Sequence, residues 1–130
     1  MNYLLDVNML VALGHTGHSL HKKALGWYAK SMKTAPCIYT CSITELGFVR
    51  VSVMCGLQPD VAAAMAALEA MKGSSSVEFK LLADDRGVKE MPAFVKSAQK
   101  LTDGHLLELA MWHSVKLVTL DKGIPGALLI

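Results

Sequence analysis

The 130-residue chain is long enough to bury one hydrophobic core and too short for two ordinary domains. Apolar residues make up 52% and charged residues 18%, which excludes a disordered chain. A net charge of +2, spread over scattered lysines and arginines, is compatible with a polyanionic partner but too weak to name one.

In chain order, Tyr3 to Leu5 reads as a short strand running into a helix from about Asn8 to Leu13. Gly14 to Gly17 is a turn. The next helix spans about Ser19 to Lys33, with Leu20, Ala24, Trp27 and Tyr28 on one face. Cys37 to Thr40 is a strand, and Ser42 starts a helix that runs to about Cys55. Pro59 opens a helix whose inner face is Val61, Met65 and Leu68. The Gly73–Ser76 stretch is a loop, Val77 to Leu82 a strand, and Val88 to Lys100 mostly helical around Pro92. Thr102 opens another helix, Lys116 to Leu120 is a strand, and Ala127 to Ile130 is a last edge strand. Strands alternating with helices predict an α/β domain with a largely parallel sheet, whose ligands bind at the carboxyl ends of the strands.

Three cysteines, Cys37, Cys41 and Cys55, form no paired framework, so buried free thiols in a reducing compartment are expected rather than a zinc site. The N-terminus lacks a basic, apolar leader, because Asp6 interrupts the run. No apolar stretch reaches the roughly 18–20 residues of a membrane span. A cytoplasmic protein is expected.

Four acids fall at strand ends or helix starts: Asp6, Glu45, Asp103 and Asp121. Each has a local explanation. Ser42-Ile43-Thr44-Glu45 fits a capping box, Asp103 suits a helix dipole, Asp121 can close a turn before Gly123, and Asp6 can cap a helix. Two features argue for more. Asp103 shares an apolar face with Leu106, Leu107 and Ala110, and Glu45 shares one with Phe48 and Val49, so both carboxylates point inward at a desolvation cost. Parallel topology also brings all four to one sheet edge, with no matching set of cations beside them in the sequence. A divalent cation resolves that repulsion, and oxygen ligands favour Mg²⁺ or Mn²⁺.

Four segments now carry a resemblance: Leu4-Leu5-Asp6-Val7-Asn8-Met9-Leu10, Thr44-Glu45-Leu46-Gly47-Phe48-Val49-Arg50, Leu101-Thr102-Asp103-Gly104-His105-Leu106-Leu107 and Leu117-Val118-Thr119-Leu120-Asp121-Lys122. Together, in this order and spacing, they resemble the PIN-domain ribonucleases, and in particular the VapC-type toxins of toxin–antitoxin pairs. The resemblance spans nearly the whole chain. It implies one three-layer α/β/α domain over residues 1–130 and a Mg²⁺- or Mn²⁺-dependent endoribonuclease. Asp6, Glu45, Asp103 and Asp121 would then be the metal ligands, Asn8 would orient the first acid, and Thr119 the loop bearing Asp121. It further implies an RNA substrate, a homodimer and a cognate antitoxin. Met54, Val61, Met65 and Leu68 are the candidate dimer-interface residues, with core filling as the simpler account. Val7 and Gly104 depart from the family, which often has Ser or Thr and Ala at these positions; neither departure removes a carboxylate.

Competing readings make distinct claims. His15, His18 and His21 suggest a zinc cluster, against the simpler account of a polar loop entering a helix. Asp6-Val7-Asn8-Met9-Leu10 with Asp84-Asp85 loosely resembles a small Mg-dependent phosphatase, although Asn8 replaces that motif's second acid. A catalytically silent binding domain is the third. His105, beside Asp103, is a candidate substrate contact.

Overall fold

The computed structural model describes residues 1–35 and 37–130. Along the chain run β1 (Tyr3–Leu5), α1 (Val7–Gly14), α2 (His21–Ser31), β2 (Cys37–Thr40), α3 (Ser42–Met54) and α4 (Val61–Ser74). Then follow β3 (Glu78–Leu81), a 3₁₀ turn (Ala98–Lys100), α5 (Leu101–Trp112), β4 (Lys116–Thr119) and β5 (Leu128–Leu129). The strands form one sheet in the order β3-β2-β1-β4-β5, and every pair is parallel.

Alternation along β1 sends neighbouring leucines to opposite faces. Register sets Leu4 beside Tyr39 and Leu117, and Leu5 beside Val118. On one face Leu5, Ile38 and Val118 pack with Met9, Leu10, Ala24, Phe48 and Leu68 of the first four helices. On the other, Leu4 and Leu117 pack with Leu106, Leu109 and Ala110 of α5. Burying both faces requires these continuous apolar strands and yields the expected three-layer α/β/α arrangement.

The chain steps outward from β1 to β2 to β3, then returns through α5 to the far side of β1. The order therefore reverses between β1 and β4, and a crevice opens at their carboxyl ends. Asp6 follows β1 and Asp121 follows β4 by two residues, so both line that crevice.

Several expectations need correction. Residues 88–100 form turns and one 3₁₀ turn instead of a helix. Pro92 has no N–H to give and disfavours helical geometry at Met91. The segment packs instead on α5 at Gly104, where a Cβ would lie 2.2 Å from Val95 Cγ2 and 2.8 Å from Met91 Sδ. The fourth helix is capped by Asp60, whose carboxylate accepts from Ala63 N–H at 2.8 Å, and not opened by Pro59. Its inward face is Ala64 and Leu68, while Val61 and Met65 are exposed. It continues through Gly73 and Ser74, so the expected loop begins only at Ser75. Cys37 and Cys41 are buried free thiols, but Cys55 is exposed. Among the described residues, no helix is long and apolar enough to cross a membrane.

Candidate functional site

Asp6 ends β1 and caps α1, its Oδ1 accepting from Val7 N–H at 2.7 Å. Its other oxygen accepts from the Thr119 hydroxyl at 2.7 Å. Thr119 closes β4, adjacent to β1, so two neighbouring strand ends bring these groups together. The same hydroxyl oxygen accepts from Asp121 N–H at 3.0 Å and Asn8 Nδ2 at 3.2 Å, while Asn8 Oδ1 accepts from Leu120 N–H at 3.0 Å. Thr119 holds both Asp6 and the Asp121 backbone, while Asn8 holds the loop directly and reaches the first acid through the Thr119 hydroxyl. Asp121 Oδ1 accepts from Gly123 N–H at 2.7 Å, the expected turn closure.

Asp103 comes to the crevice from the first turn of α5, with Leu106, Leu107 and Ala110 buried behind it. Burial, then the charges of Asp6 and Asp121, raise its carboxyl above the usual 3.8, partly opposed by Lys100. Asp6, only 5% exposed, is raised by burial and by Asp121, against the lowering hydrogen bonds of Thr119 and Val7. Three carboxylates from separate parts of the chain therefore repel one another at one sheet edge. Lys100 Nζ stands 3.8 Å from Asp103 Oδ2 and donates to Gly123 O at 3.3 Å, bridging α5 and the Asp121 turn.

Glu45 behaves differently. The expected capping box exists one residue earlier: Cys41 is the N-cap, and its N–H donates to Thr44 Oγ1 at 2.9 Å. Glu45 is left to accept from Thr40 Oγ1 at 2.5 Å and from Lys72 Nζ at 2.9 Å. Burial lowers the Lys72 ammonium's pKa, but the hydrogen bond and charge of Glu45, aided by Glu69, outweigh it and raise the value. Glu45 is not among the charges that raise Asp6 or Asp103. No matching set of cations stands beside the four acids in the sequence, and Lys72 reaches Glu45 only through the fold, from 27 residues away. Lys100, three residues before Asp103, was legible from helical spacing.

The donor chemistry of the crevice suits a hard divalent cation: carboxylate oxygens alone, mutually repelling, with one partly exposed lysine as counter-charge. Among the described residues no three His, Cys, Asp or Glu side chains are gathered into a ready ligand set. Mg²⁺ does not require one, since it is commonly held by one or two carboxylates plus water and phosphate. The histidines of residues 15–21 serve the backbone instead. His15 and His21 Nδ1 meet Val11 O and Ala12 O at 2.8 Å each, and Leu20 N–H donates to His18 Nδ1 at 3.0 Å. These contacts fit the polar-loop account. Asp84, an acid of the phosphatase reading, is turned to His105 Nε2 at 2.6 Å.

No protein-family model matches the chain. Among curated proteins, Ribonuclease VapC38 of Mycobacterium tuberculosis is 38% identical over 126 residues, covering 93% of this chain and 86% of that protein. Ribonuclease VapC29 of the same organism is 34% identical, covering 95% and 89%, and Ribonuclease VapC39 is 31% identical, covering 98% and 94%. Among solved structures, PAE2754 from Pyrobaculum aerophilum is similar with a TM-score of 0.62 at 21% identity, covering 98% of this chain and 88% of the other. Mycobacterium tuberculosis VapC20, a Sarcin-Ricin loop cleaving toxin, gives a TM-score of 0.54 at 16% identity, covering 92% and 88%. The structural likenesses speak to the fold alone.

Proposed function

The chain belongs to the VapC family of PIN-domain ribonucleases, and from that premise we propose that residues 1–130 act as one metal-dependent endoribonuclease domain. It is the toxin of a type II toxin–antitoxin pair, acting on RNA and restrained by a cognate antitoxin, in the cytoplasm. Its substrate is the RNA phosphodiester bond. Its metal is Mg²⁺ or Mn²⁺, held by Asp6, Asp103 and Asp121, with Glu45 joining them once it exchanges Lys72. The observation that carries this is the three-carboxylate crevice at the reversal between β1 and β4, where burial first, and then neighbouring carboxylates including Asp121, raise both Asp6 and Asp103.

When bound, the cation supplies Lewis acidity toward the scissile phosphate and an attacking water. The chain supplies placement. Thr119 fixes Asp6 through one hydroxyl and Asp121 through the same oxygen, so the two acids keep their relation while charge at the site changes. Asn8 ties the Leu120 backbone to α1, which stiffens the loop carrying Asp121. Lys100, beside Asp103, is placed to meet a phosphate oxygen when RNA enters. Water as nucleophile leaves a 5′-phosphate and a 3′-hydroxyl.

We further propose a homodimer through the exposed apolar surface of α3 and α4, where Leu46, Met54, Val61 and Met65 edge a groove of about 830 Å³. Leu68, buried at 4% exposure, forms its floor.

The test of the nuclease reading is cleavage of end-labelled RNA with Mg²⁺ or Mn²⁺ by wild type, Asp6→Asn and Asp103→Asn. Each variant is expected to lose about two orders of magnitude or more, since a lost ligand misplaces cation and water. Full activity in both variants, or wild-type products ending in a 2′,3′-cyclic phosphate, overturns the carboxylate–metal mechanism.

A further inference from the structure

A second, smaller hollow of about 370 Å³ lies where residues 84–91 meet the first turns of α5 and the start of α3. Of the three acids only Asp103 stands on an element of its wall, since Leu101, Thr102 and His105 belong to the same first turns of α5. Its walls are of two kinds. Val88, Met91, Leu101 and Ile43 are apolar, while Asp84, Arg86, Thr102 and His105 offer hydrogen-bonding groups. A flat ring with polar edges is the ligand such a lining fits, and the volume is near the lower end for small-ligand pockets.

The polar wall is held in place. His105 Nε2 meets Asp84 Oδ2 at 2.6 Å, with the two side chains only 13% and 10% exposed. Asp84 Oδ1 accepts from Arg86 N–H at 3.2 Å. Arg86 donates to Glu108 at 3.1 Å and lies 4.0 Å from the Trp112 ring centroid. An ionised carboxylate only accepts, so His105 Nε2–H donates to Asp84 Oδ2 and Nδ1 is left to pair with something else. A clamp holding residues 83–88 to α5 needs only the Arg86–Glu108–Trp112 contacts. It does not account for an oriented imidazole in the wall of a hollow that shares α5 with Asp103.

We propose that this hollow receives the base of one RNA nucleotide adjoining the cleaved phosphate, with His105, oriented by Asp84, as the residue that discriminates among bases. Resting on the ribonuclease reading, the proposal adds how the substrate is selected. Single-stranded RNA is read through unstacked bases that enter such pockets and pair along their edges, as the Nδ1 atom and Thr102 hydroxyl permit. Met91 and Val88 supply the faces on which the ring lies.

Two measurements test this on the full chain. In the first, each of the four nucleoside 5′-monophosphates is titrated into wild type, with NMR signals of the Met91 and Val88 methyls and the His105 ring followed. In the second, a randomised RNA pool is cleaved with Mn²⁺ by wild type, His105→Gln and Asp84→Asn, with melting temperature recorded for each. One monophosphate is expected to shift the cavity signals more than the other three. His105→Gln is expected to raise KM for the preferred sequence roughly tenfold, about the worth of one hydrogen bond, and to flatten base preference at one position only. Asp84→Asn is expected to do the same more weakly, its ring being less well oriented. A uniform fall in kcat with the wild-type preference retained means that the dyad is only a clamp, and overturns the proposal. So do cavity signals unmoved by all four monophosphates. Cavity shifts from one monophosphate in a protein that cleaves no RNA uphold the nucleotide site and sink the nuclease reading instead.

Discussion

Asp6 and Asp103 carry the same charge in the same crevice, yet their amide variants are expected to part in stability. Thr119 gives its only hydroxyl proton to Asp6 and already accepts from Asp121 and Asn8. An asparagine at position 6 must set its NH₂ against either that filled oxygen or Val7 N–H, opposing two buried donors. Asp6→Asn should therefore cost about 1–3 kcal/mol. Asp103 has no such bracket, only Lys100 at 3.8 Å, so Asp103→Asn chiefly relieves repulsion and should raise the metal-free melting temperature near neutral pH. The pH dependence has a definite sign. A carboxyl raised in the fold above its usual 3.8 makes the folded state bind the proton more tightly than the unfolded chain. Metal-free stability from these groups is therefore gained as pH falls from neutral through the raised values toward 3.8, and lost as pH rises. The Asp103→Asn curve should be flatter than wild type, as melts in chelator across that range will show. Equal slopes would remove Asp103 from the repelling cluster. Mn²⁺ should then raise the wild-type melting temperature more than that of Asp103→Asn, because it binds the folded state alone.

Between elements, the approach of α1 to α3 sets where Asp6 sits. At Gly47 a Cβ would lie 2.4 Å from Val7 Cγ2 and 3.1 Å from its Cγ1. Val7 is β-branched and rotamer-locked in a helix, so it does not swing aside. Gly47→Ala is expected to destabilise by about 1–3 kcal/mol despite alanine's better helix propensity. Urea unfolding measures this, and adding Val7→Ala to the same chain should recover part of the loss. A Gly47→Ala protein as stable as wild type contradicts the close approach. Gly104 follows the same logic. It departs from the alanine often found in this family, and its missing methyl is the space that Met91 and Val95 occupy. The irregular segment and the glycine are one adaptation, which also brings Met91 to the wall of the nucleotide hollow.

For the whole molecule, an exposed apolar groove lies on α3 and α4, with Met54 78% and Met65 53% exposed, while Met111 and Trp112 of α5 are exposed elsewhere. A contiguous apolar groove of this size is a surface to be covered, and a second copy is the occupant proposed above. The wild type should sediment at twice the 14.0 kDa chain mass. Met54→Glu with Met65→Glu should shift it to monomer while the fold survives, since neither side chain fills the core. Monomeric wild type at micromolar concentration with full cleavage counts against the dimer.

Local patterning by itself determined the strands, most helices and the α/β class with its largely parallel sheet, because burial on both faces of a parallel sheet demands continuous apolar runs. Spacing likewise turned Asp103 inward and set Asp6 and Asp121 at strand ends. What lay beyond reach was decided across long separations. Lys72 neutralises Glu45 from 27 residues away, Thr119 grips Asp6 from 113 away, and His105 finds Asp84 from 21 away. Residues 88–100 carried helix-like periodicity, but Pro92 and the open space at Gly104 turned the segment into a packed strap. Periodicity reports which side of an element faces the core. Which charge meets which depends on how the elements pack, and there only the tertiary structure separated Glu45 from the other three acids.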